Sequence, residues 1–394
     1  MKRPKSFLTL ALGATMVVVL ALMFATTASA FASGWGGHSQ KDLFVQTNNT
    51  SANSIMVYQR AWNGTLILAG TYTTGGMGGV AAGAAADPLA SQGSLASADH
   101  GRVLLAVNAG SNTVSLFRVR GDKLMLKQVI ASGGTFPVSI AVHGNLVYVL
   151  NAGVTPVTVP GASSVQGFWL VGSHLAMIPG SSRTVGPTIT SEPFYLASPG
   201  MVGFSPDGAR LVVATKFSGS LIDVFSVGRW GMLSATPMAN PTAPTAGHVP
   251  FAFSFDPWGR LVVVQVGDSG ISSYAFKPNN SLAYISSAND TKDAVAASCW
   301  ISRAGHYYFV SNAGSANLSI YRLNHGMASL VGAMPTTAAA GTTDSVTTRD
   351  GHFLYVECGG AGVVLAYRIH GDGSLSLIQT VTGLPIPFEG IALN

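Results

Sequence analysis

A repeat constrains this chain more than any other feature. "GRVLLAVNAGSNTVSLFRV" (101–119), "GHYYFVSNAGSANLSIYRL" (305–323) and "GHFLYVECGGAGVVLAYRI" (351–369) share one plan. Each begins at a glycine turn, runs through a β-rich stretch, breaks at small polar residues and resumes in a second β-rich stretch. Weaker copies start at Gly144, Gly208 and Gly259, and "KDLFVQTNNTSANSIMVYQR" (41–60) is the first, making seven. The spacing between consecutive copies is roughly 43 to 64 residues, the range of repeats that stack as whole supersecondary units. Each unit has room for four short strands. The fifth shows them as "PFAFSF", "RLVVVQV", "GISSYAF" and "SLAYISS". "DPWG" joins the first two, and "SPDG" stands there in the fourth unit; proline presets φ and glycine admits positive φ in such turns. No stretch after residue 40 combines helical periodicity with capping residues.

Four-stranded units repeated around an axis define a β-propeller. The expected fold is all-β: seven blades, four antiparallel strands in each. The two ends of the chain agree with closure. "DLFVQTNN" reads as a second strand with no first, and "PFEGIALN" as a first strand with no second, so together they complete the first blade.

The rest of the chain sets the context. Lys2, Arg3 and Lys5, the uncharged run "FLTLALGATMVVVLALMF" and "ASA" at 28–30 read as a secretory signal peptide over residues 1–30, cleaved after Ala30. An uncleaved anchor is the alternative. Residues 31–40 read as a flexible leader and 41–394 as one propeller domain. Without residues 1–30, 18 lysines and arginines face 16 acids, so the basic balance of the full chain is no argument for nucleic acid. No basic run interleaved with aromatics suggests nucleic acid either, and no second apolar run is long enough to span a bilayer. A monomer in the cell envelope or outside the cell is expected. Its partner would be a small molecule at the channel mouth, or a protein. Cys299 and Cys358 are expected as buried free thiols, with a disulfide as the alternative in an oxidising compartment. No Cys/His spacing suggests a metal, and no cofactor is expected.

The repeats, the "SPDG" turn, the closing half-blade and "GGMGGVAAGAAADPLASQGSL" (75–95) resemble the seven-bladed lactonase-like propellers, in particular an exported bacterial branch. That group includes propeller-type phosphogluconolactonase and carboxymuconate cycloisomerase. The resemblance covers about residues 41–394 and implies opening or closing of a cyclic ester. Cytosolic members carry Pro-Arg-His at the start of one blade. The matching residues here are Pro199-Gly200-Met201, and Lys216 stands where those members carry an acid.

Propeller geometry brings the ends of second strands and the starts of first strands to one mouth of the channel. Among the residues collected there, His248 is the candidate base, since imidazole titrates near neutrality. Lys216 is the candidate for steadying an oxyanion or a substrate carboxylate. Glu357 and Asp344 complete the catalytic set. Asn108, Asn151, Gln265, Trp300, Asn312 and Glu389 are the substrate-binding candidates. For the asparagines the competing reading is a turn residue; for His248, a surface or hydrogen-bonded imidazole. The functional expectation is therefore an exported lactonase-like hydrolase, with a non-catalytic ligand- or protein-binding propeller as the alternative. The match of Gly76-x-Gly78-x-x-Ala81 to a dinucleotide turn is coincidental, because antiparallel strands follow it and not a helix. The stretch is expected to pack on the face of the ring and deliver Ser94-Leu95 to the mouth.

Overall fold

Short β-branched and aromatic runs separated by tight turns pair with their nearest neighbours in sequence, and each run here pairs with the next. The computed structural model describes residues 42–153, 161–189, 193–217, 219–242, 248–293, 296–336 and 341–394; the expected signal and leader segments lie outside them. The described strands form seven antiparallel sheets. Blade 5 is typical: Pro250–Phe255, Leu261–Gln265, Gly270–Phe276 and Leu282–Asn289 pair in order. In its first turn Gly259 has φ +81°, and the Asp256 carboxylate accepts the N–H groups of Trp258 (2.9 Å) and Arg260 (2.8 Å). Proline and glycine thus end one strand and aim the next.

The innermost strand of each blade is the first in its sheet order: Leu95–Ala98, Pro137–His143, Met201–Phe204, Pro250–Phe255, Ser298–Ala304, Thr342–Thr347 and Ile391–Leu393 for blades 2 to 7 and 1. Consecutive inner strands touch around a closed ring. Ile391–Leu393 supplies the inner strand of blade 1, with Leu43 opposite Leu393 and Val45 opposite Ile391. Two further bonds hold this join: Asp42 N–H to Asn394 Oδ1 (2.7 Å) and Gln46 N–H to the Gly390 carbonyl (2.8 Å). The chain ends therefore meet as the sequence leads one to expect.

Burial peaks at the second strands and falls towards the outermost ones. Val103–Asn108, a second strand, is buried at all six positions. Burial on both faces explains why second strands read as continuous apolar runs and not as alternating ones. The outermost strand of the same blade, Lys123–Ala131, alternates towards solvent. Buried tyrosines bolt blade to blade: Tyr148 Oη donates to the Gly231 carbonyl and Tyr355 Oη to that of Gly64, each at 2.8 Å.

Because the strands alternate in direction, the turns between first and second strands and between third and fourth strands share one face, the hairpin face. Starts of first strands and ends of second strands share the other, the mouth face. Ile391 is 5% exposed and lies at the closing join. Ile391→Ala is expected to cost about 2–5 kcal/mol. Deleting residues 391–394 should do more, replacing a single cooperative thermal transition by a broad one at lower temperature, as calorimetry would show.

Candidate functional site: a channel mouth filled by its own loop

The glycine-rich stretch crosses the mouth face and then turns into the channel. Its glycines are required by close backbone approach. A Cβ at Gly78 would lie 2.1 Å from the Asn48 carbonyl oxygen, and one at Gly110 would lie 2.2 Å from that of Gly78. Only glycine fits such contacts. The amides here already have acceptors: Gly76 N–H donates to Thr74 Oγ1, Met77 to Ser111 Oγ, Gly78 to the Asn49 carbonyl and Gly79 to Asn48 Oδ1. These four consecutive amides are therefore not offered to a phosphate, and an antiparallel strand follows at Leu95–Ala98.

Beyond Asp87 the loop enters the ring. Asp87 accepts the N–H groups of Leu89 (3.0 Å), Ala90 (2.7 Å) and Ser91 (3.0 Å), which bends the chain inward. Ser91 Oγ bonds Val138 and Glu389, and its carbonyl accepts Trp300 Nε1 (2.7 Å). Gln92 is bound twice to the Ile301 backbone, at 2.9 and 3.0 Å, and its carbonyl accepts Ser139 Oγ. Gly93 N–H donates to Asp344 Oδ2 (3.2 Å), and its carbonyl accepts Ile140 N–H (2.8 Å). With Gln92 N–H to the Gly200 carbonyl (2.9 Å) and Lys216 on the Ala90 carbonyl, the segment bonds to blades 1, 3, 4, 6 and 7 before Leu95 enters blade 2. Ser94 is fully buried. The expectation that Ser94 would be presented at the mouth is corrected: the loop goes deeper, because its buried polar backbone must find partners and the inner strands supply them.

The acids chosen from the sequence lie beneath this loop. Asp344 is 2% exposed, and Glu357 and Glu389 are fully buried. Glu357 Oε2 accepts Gly390 N–H (3.1 Å), and Glu389 accepts Leu89 N–H (2.9 Å) and Ser91 Oγ. With Asp87 they form a cluster of four carboxyls. Burial first, then mutual repulsion, pushes Glu357 and Glu389 well above the usual range. Asp344 is pushed up to about 7, mainly by burial. Asp87 is also raised by burial, but a hydrogen bond with Glu389, the Lys216 charge and the amides of Ala90 and Leu89 oppose this. Asp87 is thus the acid of the four whose upward push meets the most opposing contacts.

Lys216 lies two residues past the second strand of blade 4 (Arg210–Ala214), in a left-handed conformation with φ +53°, and is 1% exposed. Its Nζ donates to the carbonyls of Ala90 and Tyr195, both at 2.6 Å, and to Ser198 Oγ at 3.2 Å. An ammonium has three donors, and all three are engaged. Burial pushes Lys216 down to about 8, against the opposing pull of Asp87. The lysine secures the loop to the helical turn Phe194–Ala197.

A cavity of about 380 Å³ opens beside this lysine. Ala84, Ala90, Val249, Phe251, Val266 and Trp300 give it mainly apolar walls, with Lys216, Asp87 and Cys299 also contributing. Phe251 and Trp300 meet edge to face with centroids 5.0 Å apart. Burial pushes the Cys299 thiol up, and that of Cys358 up to about 12, so neither is a ready thiolate. Both cysteines are free. Among the described residues, no group of three or more His, Cys, Asp or Glu side chains could hold a metal ion.

The remaining candidates are bonded within their own blades or to the preceding one, as Asn108 is to Asn53 of blade 1 (3.0 Å). Asn108 Nδ2 donates to Thr113 and Ser115, and Asn312 Nδ2 to Asn317 and Ser319. Asn151 Nδ2 donates to the Ser132 carbonyl, and Gln265 Nε2 to Tyr274 Oη. His248 Nδ1 pairs with Asp268 Oδ2, and His248 is not among the cavity-lining residues. Of the ten sequence candidates, the structure gathers Lys216, Trp300, Asp344, Glu357 and Glu389 around the loop and leaves the other five apart. Asp87, Ser91 and Gln92 were missed. Their signal was "DPLASQGS" itself, a polar run in a segment too long for a minimal blade connection.

The fold and site define a seven-bladed propeller with a loop-filled mouth, and comparison with solved structures agrees on the fold. The chain is similar to a protein provisionally assigned as a 6-phosphogluconolactonase from Bacteroides fragilis, with 17% identity, a TM-score of 0.69 and coverage of 92% of this chain and 99% of that one. It is similar to a periplasmic gluconolactonase of Pseudomonas aeruginosa, with 17% identity, a TM-score of 0.66 and coverage of 90% and 98%. It also resembles hydrazine synthase of Kuenenia stuttgartiensis, with 15% identity, a TM-score of 0.53 and coverage of 89% and 100%. No protein-family model matches the chain, and no curated protein matches it in sequence.

The acid cluster predicts an unusual pH response. Asp344 holds its proton up to about pH 7 when folded but only to about 3.8 when unfolded. Its contribution is present below the unfolded value and is lost as pH rises through the folded one, on the order of 4 kcal/mol. Glu357 and Glu389 act in the same direction. Urea unfolding should show greater stability at pH 5 than at pH 7.5. Asp344→Asn combined with Glu357→Gln should flatten that difference.

Proposed function

We propose that this chain is an exported, lactonase-like propeller whose mouth cavity binds a small, mainly apolar molecule without hydrolysing it. One observation carries the reading: the loop occupies the groups that hydrolysis would require. Lys216 has no donor to spare for an oxyanion. The three acids are buried under Leu89–Gly93. The candidate base His248 is paired with Asp268, and neither is among the cavity-lining residues. Apolar walls with a few polar groups at one end are the usual design of a small-molecule site. A polyhydroxylated sugar acid would leave its hydroxyls unpaired against Phe251, Val249 and Val266, so a ring or short acyl chain suits the space better.

Lactone hydrolysis is the second reading. It is favoured by the likeness to the gluconolactonase structures, whose identities are too low to carry an activity across. It would need Leu89–Gly93 to leave the channel and expose the acids.

A lactone panel covering sugar-acid and alkyl lactones separates the two. The expected outcome is no acid release above buffer, together with a change in tryptophan fluorescence on adding the alkyl or aromatic members. That change should disappear in Trp300→Phe and weaken about tenfold or more in Ala84→Phe, which narrows the cavity. Turnover of any lactone that falls in His248→Ala or Lys216→Ala would overturn the binding-only reading.

A further inference from the structure

The two faces of the ring differ in kind. The acid cluster and Lys216 of the mouth face are buried, whereas the hairpin face carries exposed cations, imidazoles and indoles. Of the nine histidines in the chain, seven stand on the hairpin face and all seven are exposed. His100, His306 and His352 sit in the first hairpins of blades 2, 6 and 7. His174, His325 and His370 sit in the second hairpins of blades 3, 6 and 7, and His143 ends the first strand of blade 3.

Acids on this face are largely matched. Asp99, Asp122, Asp207 and Asp256 pair with Arg102, Lys123, Arg210 and Arg260. Asp350 faces His352, Asp372 caps its own turn through Ser374, and Asp42 is buried. Beyond these pairs, the face holds Arg60 in blade 1, Arg118 and Arg120 in blade 2, Arg229 in blade 4 and Lys277 in blade 5. Blade 6 adds Arg303 and Arg322, and blade 7 adds Arg349 and Arg368. The surplus is positive and spread around the ring. Three tryptophans stand out from the same hairpins: Trp62 in blade 1 is 86% exposed, Trp230 in blade 4 is 76% and Trp258 in blade 5 is 52%. Trp258 stacks on His325 (5.4 Å) and meets His306 at a tilt (5.7 Å), with the Arg260 guanidinium 5.4 Å from its ring.

We propose that the hairpin face docks on an anionic lipid bilayer. Cations spread over six blades fit a broad, flat partner better than a single polymer strand lying in a groove. Basic side chains near an anionic leaflet each add affinity, and the sum fades with salt. Indole favours the headgroup layer, where its apolar body and polar N–H are both accommodated. Neither signal alone gives firm attachment, but two together do. Docked in this way, the mouth cavity would face away from the membrane, so this proposal does not depend on the ligand reading.

The ring closes within residues 42–394, so the test uses the chain from residue 31, without the expected signal segment. Flotation with vesicles of about 30% phosphatidylglycerol in phosphatidylcholine should show binding at least about tenfold tighter than with phosphatidylcholine alone, and most of it should be lost on raising salt from about 50 to 300 mM. Arg229→Glu, Lys277→Glu and Arg349→Glu together should weaken binding by about tenfold or more. Trp62→Ala with Trp230→Ala should weaken it by a separate route and remove a blue shift of tryptophan fluorescence on vesicle addition. Melting curves would show whether both variants remain folded. Equal binding to neutral and anionic vesicles, or a folded triple variant that binds like the parent, would overturn the proposal. So would failure to bind either vesicle, and tight binding to alginate in that case would assign the face to acidic glycans.

Discussion

Backbone groups taken out of water must be paired, and the segment Leu89–Ser94 carries such groups into the centre of the ring. Everything distinctive about this propeller follows from how they are satisfied. The N–H of Leu89 takes Glu389, that of Gly93 takes Asp344, the carbonyl of Ala90 takes Lys216 and that of Ser91 takes Trp300. These are the side chains that would otherwise face a ligand in an open channel. The acids remain buried because the loop covers them, and they are pushed towards their neutral forms because one lysine cannot balance four carboxyls in a dry space. What remains open to a ligand is the lateral cavity beside Phe251 and Trp300.

The fold was largely legible in the sequence, for local reasons. Strand chemistry, Gly259-type turns and the two half-blades at the chain ends are short-range signals, and sheets that pair mainly with their sequence neighbours depend on little else. The mouth was legible as a set of positions: Lys216, Trp300, Asp344, Glu357 and Glu389 do converge. Their state was not. Nothing near Lys216 in sequence reveals that Ala90 lies against its ammonium, since that contact spans 126 residues. Asn108, Asn151 and Asn312 illustrate the opposite error. An asparagine at a second-strand end looks exposed on paper, yet each is fully buried: Asn312 is bonded inside its own blade, while Asn108 and Asn151 also reach the preceding blade, through Asn53 and the Ser132 carbonyl. His248 was chosen for its chemistry, and its partner Asp268 sits in the next turn of the same blade.

The glycine-rich stretch carries a general lesson about motifs. A dinucleotide-type spacing and a backbone clamp make the same demand, a main chain without Cβ atoms, and so they share glycines at the same intervals. The difference lies in where the N–H groups point. In this chain they point to Thr74, Ser111, Asn49 and Asn48. The stretch is a fastening that holds the following segment against the ring.

The same arrangement sets an order of assembly. Leu43–Gln46 is made near the beginning of the chain, yet its inner partner Ile391–Leu393 is made at the end. Gln92 likewise waits for Ile301, 209 residues later. Until those partners exist, an apolar strand edge and a polar loop both lack their native bonds. Folding can therefore proceed blade by blade only through the middle of the molecule. Its completion waits on two long-range closures, one to the sixth blade and one to the last strand, and such closures are the slow part of folding. A chain halted before its last residues would hold most of its sheets and still present an open strand to any neighbour, the geometry from which β-rich proteins aggregate.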